Sequence, residues 1–243
     1  MTPWHTGRMC AFDLETTGLD TETARIVTAC VALVGGGQPA QRSTWLADPG
    51  IDIPAEASAV HGITTEQARA EGSPAVEVVK AITEVLAGAV AEGVPVVAMN
   101  ARYDLTTLDR ECRRHGVLPL VDDVVAPQLR VIDPFVIDKA LDPYRRGKRT
   151  LTALCEHYRV QLDGAHDAGA DAVAAARVAW RQGQISRLAA MSLDELHEAQ
   201  VGWAADQAAS LAAYFQRTPG KEHQAAEVRG EWPLVPFKSG EEV

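Results

Sequence analysis

The stretch Arg8-Met9-Cys10-Ala11-Phe12-Asp13-Leu14-Glu15-Thr16-Thr17-Gly18-Leu19 decides how the rest of the chain is read. Four apolar residues, Met9 to Phe12, run into two acids that Leu14 separates. The pattern predicts a buried strand over Arg8 to Glu15 that closes at the Thr16-Thr17-Gly18 turn. Side chains alternate along a strand, so Asp13 and Glu15 share a face. They share it at the strand's C-terminal end, where α/β sheets bind their ligands. Two carboxylates this close repel one another unless a cation lies between them. An Asp-x-Glu pair alone also fits a solvated strand end, but the apolar run before it strains that alternative.

Working outward, Ile26 to Val34 reads as a second strand, rich in β-branched residues, and Arg42 to Leu46 as a third. Gly35-Gly36-Gly37 turns the chain between them. No helical pattern follows this glycine triplet, so it is no phosphate loop. Pro54 to Ala70 reads as loop with short helical turns. Pro74 opens a helix whose apolar stripe is Val78, Val79, Ile82, Val85, Leu86 and Val90. Val94 to Ala98 and Val131 to Asp133 are further strands. Helices are expected at Arg102 to His115, Phe135 to Leu141, Thr150 to Tyr158 and Ala168 to Gln182. Strands grouped early and then alternating with helices predict an α/β fold, a mixed sheet flanked by helices. Ser192 and Glu195 form a capping box that starts a long helix to about Arg217. A polar tail follows from Thr218. The expected organisation is a domain over residues 1–184 and a C-terminal helical extension and tail over 185–243.

Composition bounds the function. The chain has 243 residues, 47% of them hydrophobic, and a net charge of −10. The apolar fraction supports a core, and no apolar run is long enough to span a membrane. Any nucleic-acid contact has to be local or helped by cations, because a protein gripping duplex DNA over its whole surface is usually basic. The four cysteines are far apart, which excludes a zinc ribbon and a disulfide scaffold. With no apolar signal core in residues 1–10, the expectation is a cytoplasmic protein with reduced thiols.

Two further polar clusters follow the same logic. Asn100 and Asp104 lie just past the strand Val94 to Ala98. His166 and Asp171 bracket the start of the helix from Ala168. Each cluster alone also reads as ordinary helix capping, with Asp167 as the cap of the last helix.

Taken in order, Asp13-Leu-Glu15-Thr16-Thr17-Gly18-Leu19, Asn100-Ala-Arg-Tyr103-Asp104 and His166-Asp-Ala168-Gly-Ala-Asp171 resemble the three motifs of the DEDDh 3′–5′ exonuclease superfamily. The likeness is greatest to the proofreading subunit of bacterial replicative polymerases and to its free-standing relatives. Ile53-Pro54-Ala-Glu56-Ala-Ser-Ala-Val60-His61-Gly62-Ile63-Thr64 resembles the stretch these proteins carry between the first two motifs. The resemblance covers about residues 8–182 and implies a ribonuclease H-like sheet. It implies that Asp13, Glu15, Asp104 and Asp171 hold two Mg²⁺ or Mn²⁺ ions and that His166 is the general base. It also implies that Thr16, Leu19, Val60, His61, Asn100 and Tyr103 cradle the terminal nucleotide. All-oxygen ligation suits these hard cations, and two cations supply what phosphodiester hydrolysis needs. Three positions depart from the family pattern. Met99 replaces a frequent His, Tyr103 replaces Phe, and Asp167 beside the presumed base favours its protonated form.

Tyr144-Arg145-Arg146-Gly147-Lys148-Arg149 is the one dense basic run, a candidate contact for a single strand or else a solvated loop. Arg110, Arg113 and Arg114 read as surface salt-bridging with Asp109 and Glu111. His157 and His197 read as surface residues. The scattered tryptophans Trp4, Trp45, Trp180 and Trp203 read as core or domain-edge packing. For residues 185–243 three roles stay open: packing back on the domain, pairing two chains, or contacting a polymerase or sliding clamp. The expected partner is single-stranded nucleic acid with a free 3′ end, DNA before RNA, and no membrane. The rival readings are an RNA-trimming relative and a non-catalytic polymerase-docking subunit.

Overall fold

A computed structural model describes residues 3–162 and 167–238. Six strands form one mixed sheet: β1 (Arg8–Thr16), β2 (Ile26–Gly35), β3 (Gln41–Asp48), β4 (Ser73–Pro74), β5 (Val96–Val97) and β6 (Val131–Ile132). Their order across the sheet is β4-β3-β2-β1-β5-β6. The β1–β2 and β2–β3 pairs are antiparallel, and the other three are parallel. The helices are α1 (Ala55–His61), α2 (Thr65–Glu71), α3 (Ala75–Ala91), α4 (Ala101–Arg114), α5 (Pro134–Leu141), α6 (Leu151–Tyr158), α7 (Ala168–Gly183), α8 (Ser186–Ala189) and α9 (Leu193–Arg217). The mixed α/β sheet expected from the sequence is thus the observed one. The expected loop at Pro54 to Ala70 resolves into α1 and α2, each of only seven residues.

Alternation along β1 divides the core. Cys10, Phe12 and Leu14 pack with α3 and α4 on one face. Met9 and Ala11 pack against Ala168, Ala172, Ala175 and Ala179 of α7 on the other. Alanines every third or fourth residue let α7 lie close to the sheet. Between Glu15 and Thr16 the pairing with β2 slips by one residue, a bulge just past the two acids, after which Thr16 pairs with Ile26.

The extension packs back on the sheet. Leu188 and Leu196 enter the α7-side core, and Trp232 and Leu234 enter the opposite one. The Ser192–Glu195 capping box that starts α9 is present.

Two expectations are corrected here. The arginines of α4 do pair with Asp109 and Glu111, but not at the surface: Arg110 is 1% exposed, and Asp109 and Glu111 are buried too. Arg110 is bonded to Glu22 at 2.6 and 3.0 Å and to Asp109 at 2.6 Å, and it donates to the Val235 carbonyl. Phe237 lies over Arg110 and Arg113. The tail and the β1–β2 loop cover a helix face that looks solvent-facing in isolation. His197 is likewise half-buried, its Nδ1 accepting from the Val131 backbone. Of the tryptophans, Trp4 is buried, Trp45 and Trp203 are half-buried, and Trp180 is exposed.

Candidate active site

The two faces of β1 explain how the acids meet. Asp13 and Glu15 follow Met9 and Ala11 on the α7 side, and Asp171 projects from the first turn of α7. Carboxylate oxygens of Asp13, Glu15 and Asp171 all lie within 4.8 Å of one another. Asp104 arrives from the opposite side, on the first turn of α4, and is buried. Its Oδ1 accepts from the Leu14 backbone at 3.1 Å, which fixes it between the two acids of β1.

The electrostatics of this cluster are those of a cation site. Burial, then Asp171 and Asp167, push the Glu15 carboxyl up to about 7. Burial, then Asp104, Glu15 and Asp171, hold Asp13 well above the usual carboxylate range. Burial raises Asp104 in the same direction against the backbone bonds that lower it. The charges that bear most on Asp13 and Glu15 are carboxylates. Such a set is unfavourable alone and is relieved by a hard, oxygen-seeking cation. The residues therefore fit a divalent metal.

Around the acids stand the residues expected at the nucleotide. The Tyr103 hydroxyl bonds to Thr16 Oγ1 and to the Gly18 carbonyl, locking the ring against the turn after β1. Leu19 is 93% exposed beside it. His61 closes α1, and its Nδ1 accepts from Ile63, so the proton sits on Nε2. That nitrogen is buried, with the Thr16 backbone beside it. Burial lowers the imidazole's pKa from its ordinary value, against the Thr16 backbone contact that raises it. Val60 beside it is exposed. Asn100 has a left-handed backbone, φ 62°, and its side chain makes no cap bond. His166 lies outside the described residues. Asp167 caps α7 through Ala170 and pairs with Arg42 at 3.1 Å, so Arg42 offsets part of the charge expected to act on His166. A Cβ on Gly169 would strike that guanidinium, so the glycine gives Arg42 its place.

The basic run is divided. Arg145 and Arg149 are both bound to the buried Asp138 of α5, while Tyr144, Arg146 and Lys148 are exposed. Two of the four candidate cations thus hold the loop to α5.

Sequence reasoning missed Asp133. It is buried at the end of β6 and accepts from the backbones of Asn100 at 2.9 Å, Ala101 at 3.0 Å and Phe135 at 2.9 Å. Trp232 Nε1 reaches it at 3.3 Å, and Gln200 of α9 accepts from its backbone at 2.7 Å. It fixes the start of α4, and with it Asn100, Tyr103 and Asp104. The signal was an Asp before a Pro, the plain mark of a helix start. Asp133 does cap α5 as that mark implies.

A mixed sheet with four carboxylates at the end of its central strand defines a class: nucleases and related phosphodiester hydrolases that act through carboxylate-bound cations. The comparisons narrow it. Residues 10–179 match the family model described as exonuclease, of the RNase T type, and the chain belongs to that 3′–5′ exonuclease family. A PolC-type DNA polymerase III from Lacticaseibacillus paracasei is 28% identical over 163 residues, 67% of this chain but 10% of that polymerase. The chain thus spans about a tenth of this curated relative. Among solved structures, the zinc-bound E. coli exonuclease I complex with single-stranded DNA has a TM-score of 0.63 at 17% identity, covering 86% of this chain and 45% of that one. Exonuclease X with 5′-overhanging duplex DNA has a TM-score of 0.56 at 21% identity, covering 79% and 98%. At these identities the structural likeness speaks to the fold. Among the described residues no helix is long and apolar enough to cross a membrane.

Proposed function

We propose that the chain removes nucleoside 5′-monophosphates one at a time from the 3′ end of single-stranded DNA, with Mg²⁺ or Mn²⁺ held by Asp13, Glu15, Asp104 and Asp171. The observation that carries this reading is the convergence of these acids at the end of β1, three of them within 4.8 Å and the fourth tied to Leu14. When bound, two divalent cations lower the pKa of the attacking water and neutralise the leaving oxygen. Four carboxylates against two such cations leave the site neutral, so a phosphate can approach. Tyr103, held by its hydroxyl, offers its ring to the terminal base, and Leu19 wedges that base from the next one. The Nε2–H of His61, beside the Thr16 backbone, is placed to donate to the terminal nucleotide. His166 would take the proton of the attacking water, worth about 10² to 10⁴ in rate. A paired end must unstack before it enters such a pocket, and a single strand enters freely.

The test is purified protein with Mg²⁺, Mn²⁺ or Zn²⁺ on linear single-stranded DNA, the matching duplex, RNA of the same sequence and a circular single strand. The reading expects the linear DNA strand to be cut fastest, with Mg²⁺ or Mn²⁺, and the circle to survive. Nicking of the circle as fast as the linear strand is degraded would make the protein an endonuclease. Faster loss of RNA would move the substrate to RNA.

A further inference from the structure

Three cavities run end to end along the seam between the sheet domain and the C-terminal extension. The first, of about 410 Å³, shares Leu19, Asn100 and Tyr103 with the nucleotide pocket, and Leu211 and Phe215 of α9 close its far side. The second, of about 160 Å³, continues from Asn100 and Arg102 to Phe135 and Lys139 of α5. The third, of about 540 Å³, runs on from Lys139 past Pro143 to Trp203 and Tyr214 of α9. Where it ends, the loop with the exposed Tyr144, Arg146 and Lys148 begins.

Lys139 stands in the middle of this seam. It is half-buried, with its ammonium 5.1 Å from the centre of the Phe135 ring. Burial, and after it the neighbouring cations Arg149 and Arg102, push its pKa down. Among the described residues no carboxylate pairs with it, whereas Arg149 and Arg145 are both satisfied by Asp138. Of the acids lining the seam, Asp133 is occupied by its backbone and Trp232 donors, and Glu227 and Asp206 lie on the extension's wall. This half-buried cation has Arg149 and Arg102 as its charged influences and shares the lining of the third cavity with Asp206, in a chain of net charge −10.

We propose that this seam is the path of the substrate strand upstream of its 3′ end, with Lys139 holding a backbone phosphate and α9 supplying the wall against which the bases lie. Apolar and aromatic side chains on one wall and a cation on the other are the pattern of a single-strand groove. The strand would leave over Tyr144, toward Arg146 and Lys148. The inference rests on the exonuclease reading and gives the extension a part in choosing the substrate.

The test compares wild type with Lys139→Ala and Lys139→Gln on two substrates. One is a 12-nucleotide DNA strand. The other is the p-nitrophenyl ester of thymidine 5′-monophosphate, which has no upstream phosphate. The expected result is a KM about tenfold higher on the 12-mer with kcat unchanged, unaltered kinetics on the ester, and rescue by Lys139→Arg. The slope of log(kcat/KM) against log salt on the 12-mer should become shallower by about 0.7, the contribution of one phosphate on a single strand. Equal losses on both substrates, or an unchanged 12-mer KM and slope, would overturn the proposal. If wild type cleaves neither substrate, the exonuclease reading has failed. Fluorescence anisotropy of a labelled 12-mer then still tests the seam: weaker binding by both neutral variants supports it, and equal binding overturns it.

Discussion

Glu15 shows what the acid cluster costs the protein without metal. Its carboxyl is raised to about 7 in the fold, against an ordinary 4.5. Between those values the folded state keeps a proton that the unfolded chain releases, so rising pH destabilises the metal-free fold over that window. His61, His115 and His197, all lowered from 6.5 by burial, act in the opposite direction and obscure the trend in wild type alone. The comparison with Glu15→Gln isolates it. In EDTA the variant should melt above wild type, by a margin that grows from pH 5 to pH 8, and Mn²⁺ should close the gap by raising wild type. A constant margin in thermal melts would remove the raised carboxyl from the account. Tyr103 gives a second prediction at this scale. Tyr103→Phe keeps the ring and loses only the bonds to Thr16 and Gly18, so its kcat/KM should fall by less than about tenfold. Tyr103→Ala loses a stacking face worth about 1 to 3 kcal/mol and should cost one to two decades. Steady-state kinetics on a short DNA strand separate the two. The four acids were legible in the sequence because strand alternation and helix-start positions fix where such side chains point. Asp133 was not, because its partners Asn100, Ala101 and Trp232 lie 32 to 99 residues away and nothing local marks them.

Among the elements, α4 and α7 each carry a site acid on their first turn, and the start of α4 is fixed from a distance. Asp133 holds its first backbone groups, and the left-handed Asn100 begins it without a side-chain cap. Asp133→Ala leaves buried N–H groups unpaired, at about 1 to 3 kcal/mol each. Asp133→Asn retains one acceptor oxygen and should recover part of that stability. Both variants should lose kcat, since Asp104 rides on the first turn of α4, and Asp133→Ala should lose more. Urea unfolding followed by kinetics on the folded fraction checks this, and full kcat in folded Asp133→Ala would make the residue structural only. Helix α4 also shows where single-element reading failed. Asp109, Arg110 and Glu111 are consecutive charges, the usual sign of a solvated face. Only the distant Glu22, Val235 and Phe237 make it an interior one.

At the scale of the whole molecule, the extension and the sheet share their cores. Trp232 is buried with β1, α3 and α4, and Leu188 and Leu196 are buried with α7. Trp232→Ala should therefore cost about 3 to 5 kcal/mol. At about 2 to 4 °C per kcal/mol for a chain of this size, the Tm should fall by at least about 6 °C. Trp232→Phe, which loses the bond to Asp133 but fills most of the space, should cost much less. Scanning calorimetry checks both, and an unchanged Tm in Trp232→Ala would mean that the tail adds nothing to the fold. The long helix to about Arg217 and the tail after Thr218 were visible in the sequence. What they cover was not, because one helical stripe serves an intramolecular core and a partner equally well.

The central claim is that the acids at the end of β1 make this chain a metal-dependent exonuclease. It is tested most directly by a time course on a 5′-labelled single DNA strand with Mn²⁺, for wild type and for Asp171→Asn of matched Tm. The account predicts a ladder shortening one nucleotide at a time from the 3′ end in wild type, and an intact strand in Asp171→Asn. An undiminished ladder in that variant, or fragments arising from internal cuts in wild type, would contradict it.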